Sequence, residues 1–160
     1  MGTKERRRKE KETRRQQILK AAAQEFIQKG FEAATMPSIA EKIELSIGTL
    51  YLYFPSKMDL YASFLADGLG KLADAMSGAA RGEDPLEDAQ AMALAMLRFI
   101  GEHPEYRPSL LPESFSAHNL KHHSITDDQN AQLESLRATC KQALAGVLEK
   151  GIKSGIFIGS

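Results

Sequence analysis

At 160 residues the chain has room for one sizeable core, or for a small module joined to a larger helical one. Tryptophan is absent, β-branched runs are missing, and alanine, leucine, glutamate, lysine and glutamine are abundant, which excludes a sheet-rich protein and predicts an all-α fold. The formal net charge is zero, yet residues 1–60 hold 12 Lys/Arg against 8 Asp/Glu and residues 61–160 hold 9 against 13, so the first third is the part suited to an anionic partner.

Residues 1–15, MGTKERRRKEKETRR, carry eight Lys/Arg and three Glu with no apolar residue after Met1, and a disordered basic arm over 1–13 is expected because nothing there can be buried. Two readings of it stand side by side: an arm that neutralises phosphates or enters a minor groove, or a solvated tail. From about Arg14 to Lys29, Ile18, Ala22 and Phe26 recur every fourth position beside Leu19 and Ala23, the stripe of an amphipathic helix. Gly30 ends it, and Phe31 packs back on it.

The stretch Thr35–Lys57, TMPSIAEKIELSIGTLYLYFPSK, reads as two short helices joined by a tight turn. Thr35 is an N-cap with Pro37 in the first turn, Ile39, Ala40 and Ile43 face inward, Glu44 and Leu45 make the turn, and Ser46 caps the second helix. Pro55 stops that helix after about two turns. Helices this short require packing of Ile39, Leu45, Leu50 and Phe54 on the first helix. Ser56 and Asp59 form a capping pair for the next helix. Lys57, a cation in a first turn, opposes the helix dipole and makes sense beside a bound phosphate, or as a surface lysine offset by Asp59.

Two tyrosines and a threonine on the outer side of a two-turn helix add nothing to a core, which favours DNA contact for that helix. Thr49, Tyr53 and Lys57 are assigned to phosphates, and Ser46, Ile47 and Tyr51 to base edges, with Ile47 placed to pack on a thymine methyl. Thr35 and Gly48 complete the expected DNA-binding set.

Gly30-Phe31, Thr35, Ile39-Ala40, Ser46, Gly48-Thr49-Leu50-Tyr51, Tyr53-Phe54, Ser56-Lys57 and Leu60 resemble the N-terminal signature of the TetR family of bacterial transcriptional regulators, over about residues 14–60. Glu44 departs from it, since glycine is usual at that turn position. The resemblance implies a three-helix DNA-binding domain over 14–60 and a larger helical ligand-binding and dimerisation domain over 61–160. It also implies a homodimeric repressor that leaves double-stranded operator DNA when a small-molecule inducer binds.

Beyond Lys57 the pattern Leu60, Phe64, Leu65, Leu69 and Leu72 extends a helix to about Ala80, and Arg81-Gly82 breaks it. Asp84 and Pro85 open the next, with Leu86, Ala89, Ala93, Met96, Leu97 and Ile100 as its expected buried side. Pro104 starts a short helix with Tyr106, Leu110 and Leu111, a polar stretch follows over His118–Asn130, and a long helix runs from about Asp128 to Lys150 until Gly151 stops it. Its stripe is Leu133, Leu136, Cys140, Ala143, Leu144 and Val147. GIKSGIF at 151–157 again resembles the family, in which two long pairing helices normally follow. The chain stops at Ser160, so either it is a truncated regulator lacking the last helices or it dimerises through the helices it has; Ile152, Ile156, Phe157 and Ile158 make an awkward terminus and favour the first.

Met92, Met96, Phe99, Tyr106 and Phe115 are candidates to line a pocket for an apolar or aromatic ligand, and serve equally as ordinary core. His118, His122 and His123 offer one pair at zinc-ligating spacing but no carboxylate or thiol beside it, so neither a metal site nor a cofactor is expected. No nucleophile motif, phosphate loop or carboxylate pair supports an enzyme. Cys140 is the single cysteine and reads as a small hydrophobe. No apolar run is long enough for a membrane span, and a cytoplasmic protein is expected. The alternatives are a DNA-binding regulator controlled by a protein partner or by no ligand and, more remotely, a metal-binding or enzymatic protein built on the histidines.

Overall fold

A computed structural model of the chain describes residues 2–82, 84–106 and 126–158, and among them every regular element is a helix. In order these are α1 (Thr3–Ala33), α2 (Met36–Lys42), α3 (Ile47–Tyr53), α4 (Lys57–Ala79), α5 (Pro85–Glu102), a 3-10 turn (Pro104–Tyr106) and α6 (Asp127–Lys153). They form two compact units, Met1–Phe64 and Leu65–Ser160, so that α4 starts in the first and ends in the second.

In the first unit, seven-residue helices such as α2 and α3 have no stability of their own. They persist because Ile39, Ala40, Leu50 and Phe54 are buried with Ile18, Leu19 and Ala22 of α1. Each large side chain among these contributes about 1.5–3 kcal/mol by leaving water. An aromatic cluster closes the other end: Phe26 meets Tyr61 edge-on at 5.1 Å, and Phe31 lies 4.6 Å from Tyr61 and 5.9 Å from Phe26. Phe31 reaches it because Gly30, at φ 77°, breaks the α-helical path just before.

The expected disordered arm is corrected here. Residues 3–13 are helical and continue α1 towards the N-terminus with every side chain exposed. Lys, Arg, Glu and Gln are good helix formers, and extending a helix already anchored by Ile18 and Leu19 avoids the nucleation step that limits isolated segments. Arg6 with Glu10 at 3.4 Å and Gln16 with Glu12 at 3.0 Å add pairs one turn apart. Absence of burial therefore does not prevent order here.

In the second unit α5 packs on α6. Asp84 caps α5 by accepting from the amides of Leu86 and Glu87, and Thr126 with Gln129 forms a capping box at the start of α6. Buried Asp88 accepts from the amides of Arg81 (2.7 Å) and Gly82 (2.8 Å), fixing the turn between α4 and α5. The expected buried side of α5 is also corrected: Leu86, Ala93, Met96 and Leu97 are exposed and Ala89 and Ile100 half-buried, while Asp88, Met92 and Phe99 face the core. An alanine-rich helix is apolar on several sides, so its pattern leaves the inward direction open.

Gly151 does not stop α6. The helix continues to Lys153 and is ended by Gly155 at φ 74°, where the amides of Ile156 (2.9 Å) and Phe157 (3.0 Å) return to the Gly151 carbonyl. Gly151 is instead buried under the Phe157 ring, which occupies the space a Cβ would need. Leu133 and Val147 are buried as expected from the α6 stripe, whereas Leu144 is exposed. Leu110, Leu111, Phe115, His118, His122 and His123 lie outside the described residues.

Candidate nucleic-acid interface

The helix-turn-helix is built from α1 outward. Glu25 is fully buried, and its Oε1 accepts from Ser38 Oγ at 2.6 Å and pairs with Lys29 at 2.5 Å, while Oε2 pairs with Lys42 at 2.8 Å. The hydrogen bonds from Lys29, Lys42 and Ser38 hold its carboxyl down at about 2, against the opposing effect of burial. Ser38 also completes a capping box with Thr35, so one carboxylate fixes both where α2 starts and how it lies on α1.

Between α2 and α3 the chain turns through Ile43–Leu45, with the Leu45 amide donating to the Ala40 carbonyl at 2.9 Å. Glu44 takes φ 53°, the left-handed conformation for which glycine is suited, and bears the strain of a Cβ there. Ser46 caps α3 by accepting from the Thr49 amide at 3.1 Å, and its hydroxyl shares a 2.7 Å hydrogen bond with Thr49 Oγ1. These two hydroxyls are satisfied locally.

The α3 wheel divides cleanly. Leu50 and Phe54 are buried, Thr49 and Tyr53 are half-buried at the flanks, and Ile47, Gly48, Tyr51 and Leu52 face outward. Leu52, 82% exposed at the centre of that face, escaped the sequence reading although its spacing from Leu50 and Phe54 puts it opposite them. With Ile47 and Tyr51 it gives the outward side of α3 three exposed large apolar or aromatic side chains.

Lys57 has a different partner from the expected phosphate. Its ammonium donates to the carbonyls of Phe31 (2.7 Å), Glu32 (3.2 Å) and Ala34 (3.1 Å) and stands 4.4 Å over the Phe31 ring. All three of its donors are thus used on the carbonyl-rich end of α1, where the helix dipole favours a cation. The cation that looked out of place at the start of α4 belongs to the end of α1.

In the second unit Met92, Phe99 and Tyr106 are buried, Phe99 stacking on Tyr106 at 5.9 Å, whereas Met96 is exposed. Tyr106 donates to Asp67, and Lys71 reaches both at 2.7 and 3.0 Å. Burial, then the Asp67 hydrogen bond, pushes the Tyr106 phenol up to about 12, so it stays protonated. Burial likewise raises the Cys140 thiol and keeps it from being a reactive thiolate.

The sequence profile described as bacterial regulatory proteins, tetR family, matches residues 18–64, from the buried part of α1 into α4. Relatives and solved structures of that family match as well. Residues 18–64 are a TetR-family N-terminal domain. The chain's similarity to the HTH-type transcriptional repressor KstR of Rhodococcus jostii is 35% identity over 91 residues, 57% of this chain and 42% of the relative. To the fatty acid metabolism regulator protein of Bacillus subtilis it is 29% over 154 residues, 92% of this chain and 72% of the relative. The TetR family regulator PfmR from Thermus thermophilus superposes with a TM-score of 0.77 at 25% identity, over 89% of this chain and 74% of that one. Against the Rhodococcus repressor, the match thus spans well under half of the relative's length. Within this TetR-family module, Glu44 at positive φ is a local departure that leaves the capping and packing of α3 intact.

Proposed function

We propose that the protein is a DNA-binding transcriptional regulator, a homodimeric repressor that leaves its operator when a small apolar ligand binds the second unit. The observation that carries this reading is α3 itself: a short helix buried through Leu50 and Phe54, whose opposite side offers Ile47, Gly48, Tyr51 and Leu52 to a major groove. Ile47 and Leu52 suit thymine methyl groups, Tyr51 a base edge or phosphate, and the half-buried Tyr53 and Thr49 the flanking backbone. Ser46 and Thr35 act chiefly as caps that aim their helices. Lys57 would meet a phosphate only by exchanging a carbonyl of α1 for it.

Support for the ligand half comes from the relative named as a fatty acid metabolism regulator and from Met92, Phe99 and Tyr106, three large apolar or aromatic side chains buried in the second unit. Binding would favour a state in which the two α3 helices of a dimer no longer match successive major grooves, roughly 34–36 Å apart. Mobility-shift assays with the chain's own promoter region test the first half. Retained, sequence-specific and salt-sensitive binding supports it, and equal binding of operator and scrambled duplex refutes it. Long-chain fatty acids and their coenzyme A thioesters are the probes for the second half, read as release of the duplex and a rise in melting temperature.

A further inference from the structure

Of the cations around the helix-turn-helix, three are engaged within the protein and Lys20 is exposed. Lys29 and Lys42 are held by Glu25, and Lys57 by the end of α1. Most of the charge available to a polyanion is instead on the N-terminal turns of α1, and it is not evenly spread there. At roughly 100° per residue, Lys4, Arg7, Arg8, Lys11, Arg14 and Arg15 fall in one stripe about 120° wide, while Glu5, Glu10 and Glu12 lie outside it. Farther along α1 the same sector carries Ile18, Ala22, Glu25 and Phe26, the side on which α2 and α3 are built. Arg15 makes the connection directly, its guanidinium 5.2 Å over the ring of Phe54, the C-cap residue of α3.

We propose that residues 3–14 are a second, helical DNA-contacting element, whose stripe of Lys4, Arg7, Arg8, Lys11 and Arg14 runs along duplex phosphates flanking the half-site read by α3. The inference rests on the DNA-binding reading above and gives it an anchoring surface. A helix about 10–12 Å across does not enter a minor groove about 6 Å wide, so the contact is with backbone phosphates and not with minor-groove bases. Twelve residues rise about 18 Å, the length of roughly five base pairs along one strand. Residues 3–17 contain no apolar side chain, which removes the inserted face that an interfacial membrane helix needs.

The test uses the full chain and a variant with Lys4→Gln, Arg7→Gln, Arg8→Gln and Lys11→Gln, since glutamine keeps helix propensity close to that of Lys and Arg. Arg6→Gln with Lys9→Gln, outside the stripe, is the control. Fluorescence anisotropy against KCl concentration is measured with the operator duplex, the same duplex shortened by about five base pairs at each end, and a scrambled duplex.

The stripe variant should bind at least about tenfold more weakly at roughly 100 mM salt, with the logarithmic salt slope reduced by roughly 2–4 per subunit. The ratio of operator to scrambled affinity should stay unchanged, the control should match wild type, and trimming the duplex should weaken wild type but not the variant. An unaltered slope in a protein that still selects its operator overturns the proposal. So does loss of binding to phosphatidylglycerol vesicles or single-stranded RNA while the duplex slope stays fixed. If wild type selects no sequence yet the slope still falls in the variant, the stripe stands and the reading role of α3 is what fails.

Discussion

Glu25→Gln tests whether one buried carboxylate sets the geometry of the helix-turn-helix. Two routes give its size. The carboxyl lies at about 2 in the folded protein against 4.5 when unpaired, a difference worth roughly 3 kcal/mol. Counted by contacts, the change removes ionic hydrogen bonds from Ser38, Lys29 and Lys42, each worth about 1.5–3 kcal/mol if fully enclosed. The lysine side chains are 49% and 29% exposed, however, so both return to water when released and the loss shrinks towards that of surface pairs. A destabilisation of about 2–3 kcal/mol at pH 7 is expected, below the roughly 3–5 kcal/mol seen when a charge is stranded in a core.

The pH dependence gives a sharper check. The folded-state value is depressed, so the contribution is complete above pH 4.5 and is lost as pH falls from 4.5 towards 2. Urea titrations followed by circular dichroism should therefore show a gap between wild type and Glu25→Gln that falls by about half near pH 3. A gap under about 0.5 kcal/mol at pH 7, or one that does not move with pH, refutes the assignment of this carboxylate as the ionised anchor of α2.

Gly151→Ala should cost about 2 kcal/mol, because its Cβ overlaps the Phe157 ring, and the same substitution made in a Phe157→Ala background should cost much less in thermal melts. Glu44→Gly should raise stability by about 1 kcal/mol, since the left-handed turn no longer carries a Cβ; a fall in the urea midpoint would contradict the strain argument. Lys57→Met should lower stability by roughly 1–2 kcal/mol as three carbonyls at the end of α1 lose their donor. Its salt slope on operator DNA should match wild type; a slope reduced by about 0.9 per subunit would return Lys57 to the phosphates.

The caps of this fold were legible because their chemistry is local. Thr35 with Pro37, Ser46 three residues before Thr49, and Asp84 with Pro85 each announce a helix start within four residues, and each holds in three dimensions. What escaped depends on partners far along the chain. Glu25 meets Ser38 and Lys42, and Lys57 meets a helix end more than twenty residues earlier, neither of which a spacing rule contains. Gly151 looked like a helix stop because glycine usually signals one, and the return of Phe157 over its bare Cα is visible only once the chain has turned at Gly155. For α1 the error lay in using burial alone, when propensity and an existing nucleus suffice for order.

On DNA the module would divide its work between two surfaces. The outward face of α3 carries Ile47, Tyr51 and Leu52 and no formal charge, so in the proposed DNA-bound state it would supply discrimination through shape and methyl contacts but little of the phosphate attraction that dominates affinity. Of the nearby cations, Lys29 and Lys42 are tied inward to Glu25 and Lys57 to the end of α1, leaving Lys20 exposed. A charge-poor reading helix needs its electrostatics from elsewhere, and within the first unit the one-sided cationic turns of α1 are where the sequence concentrates it. Substitutions on α3 should then change which duplex is chosen with little effect on salt dependence. Substitutions on the α1 stripe should do the reverse, and Arg15, lying over Phe54, is the side chain through which the two surfaces adjoin.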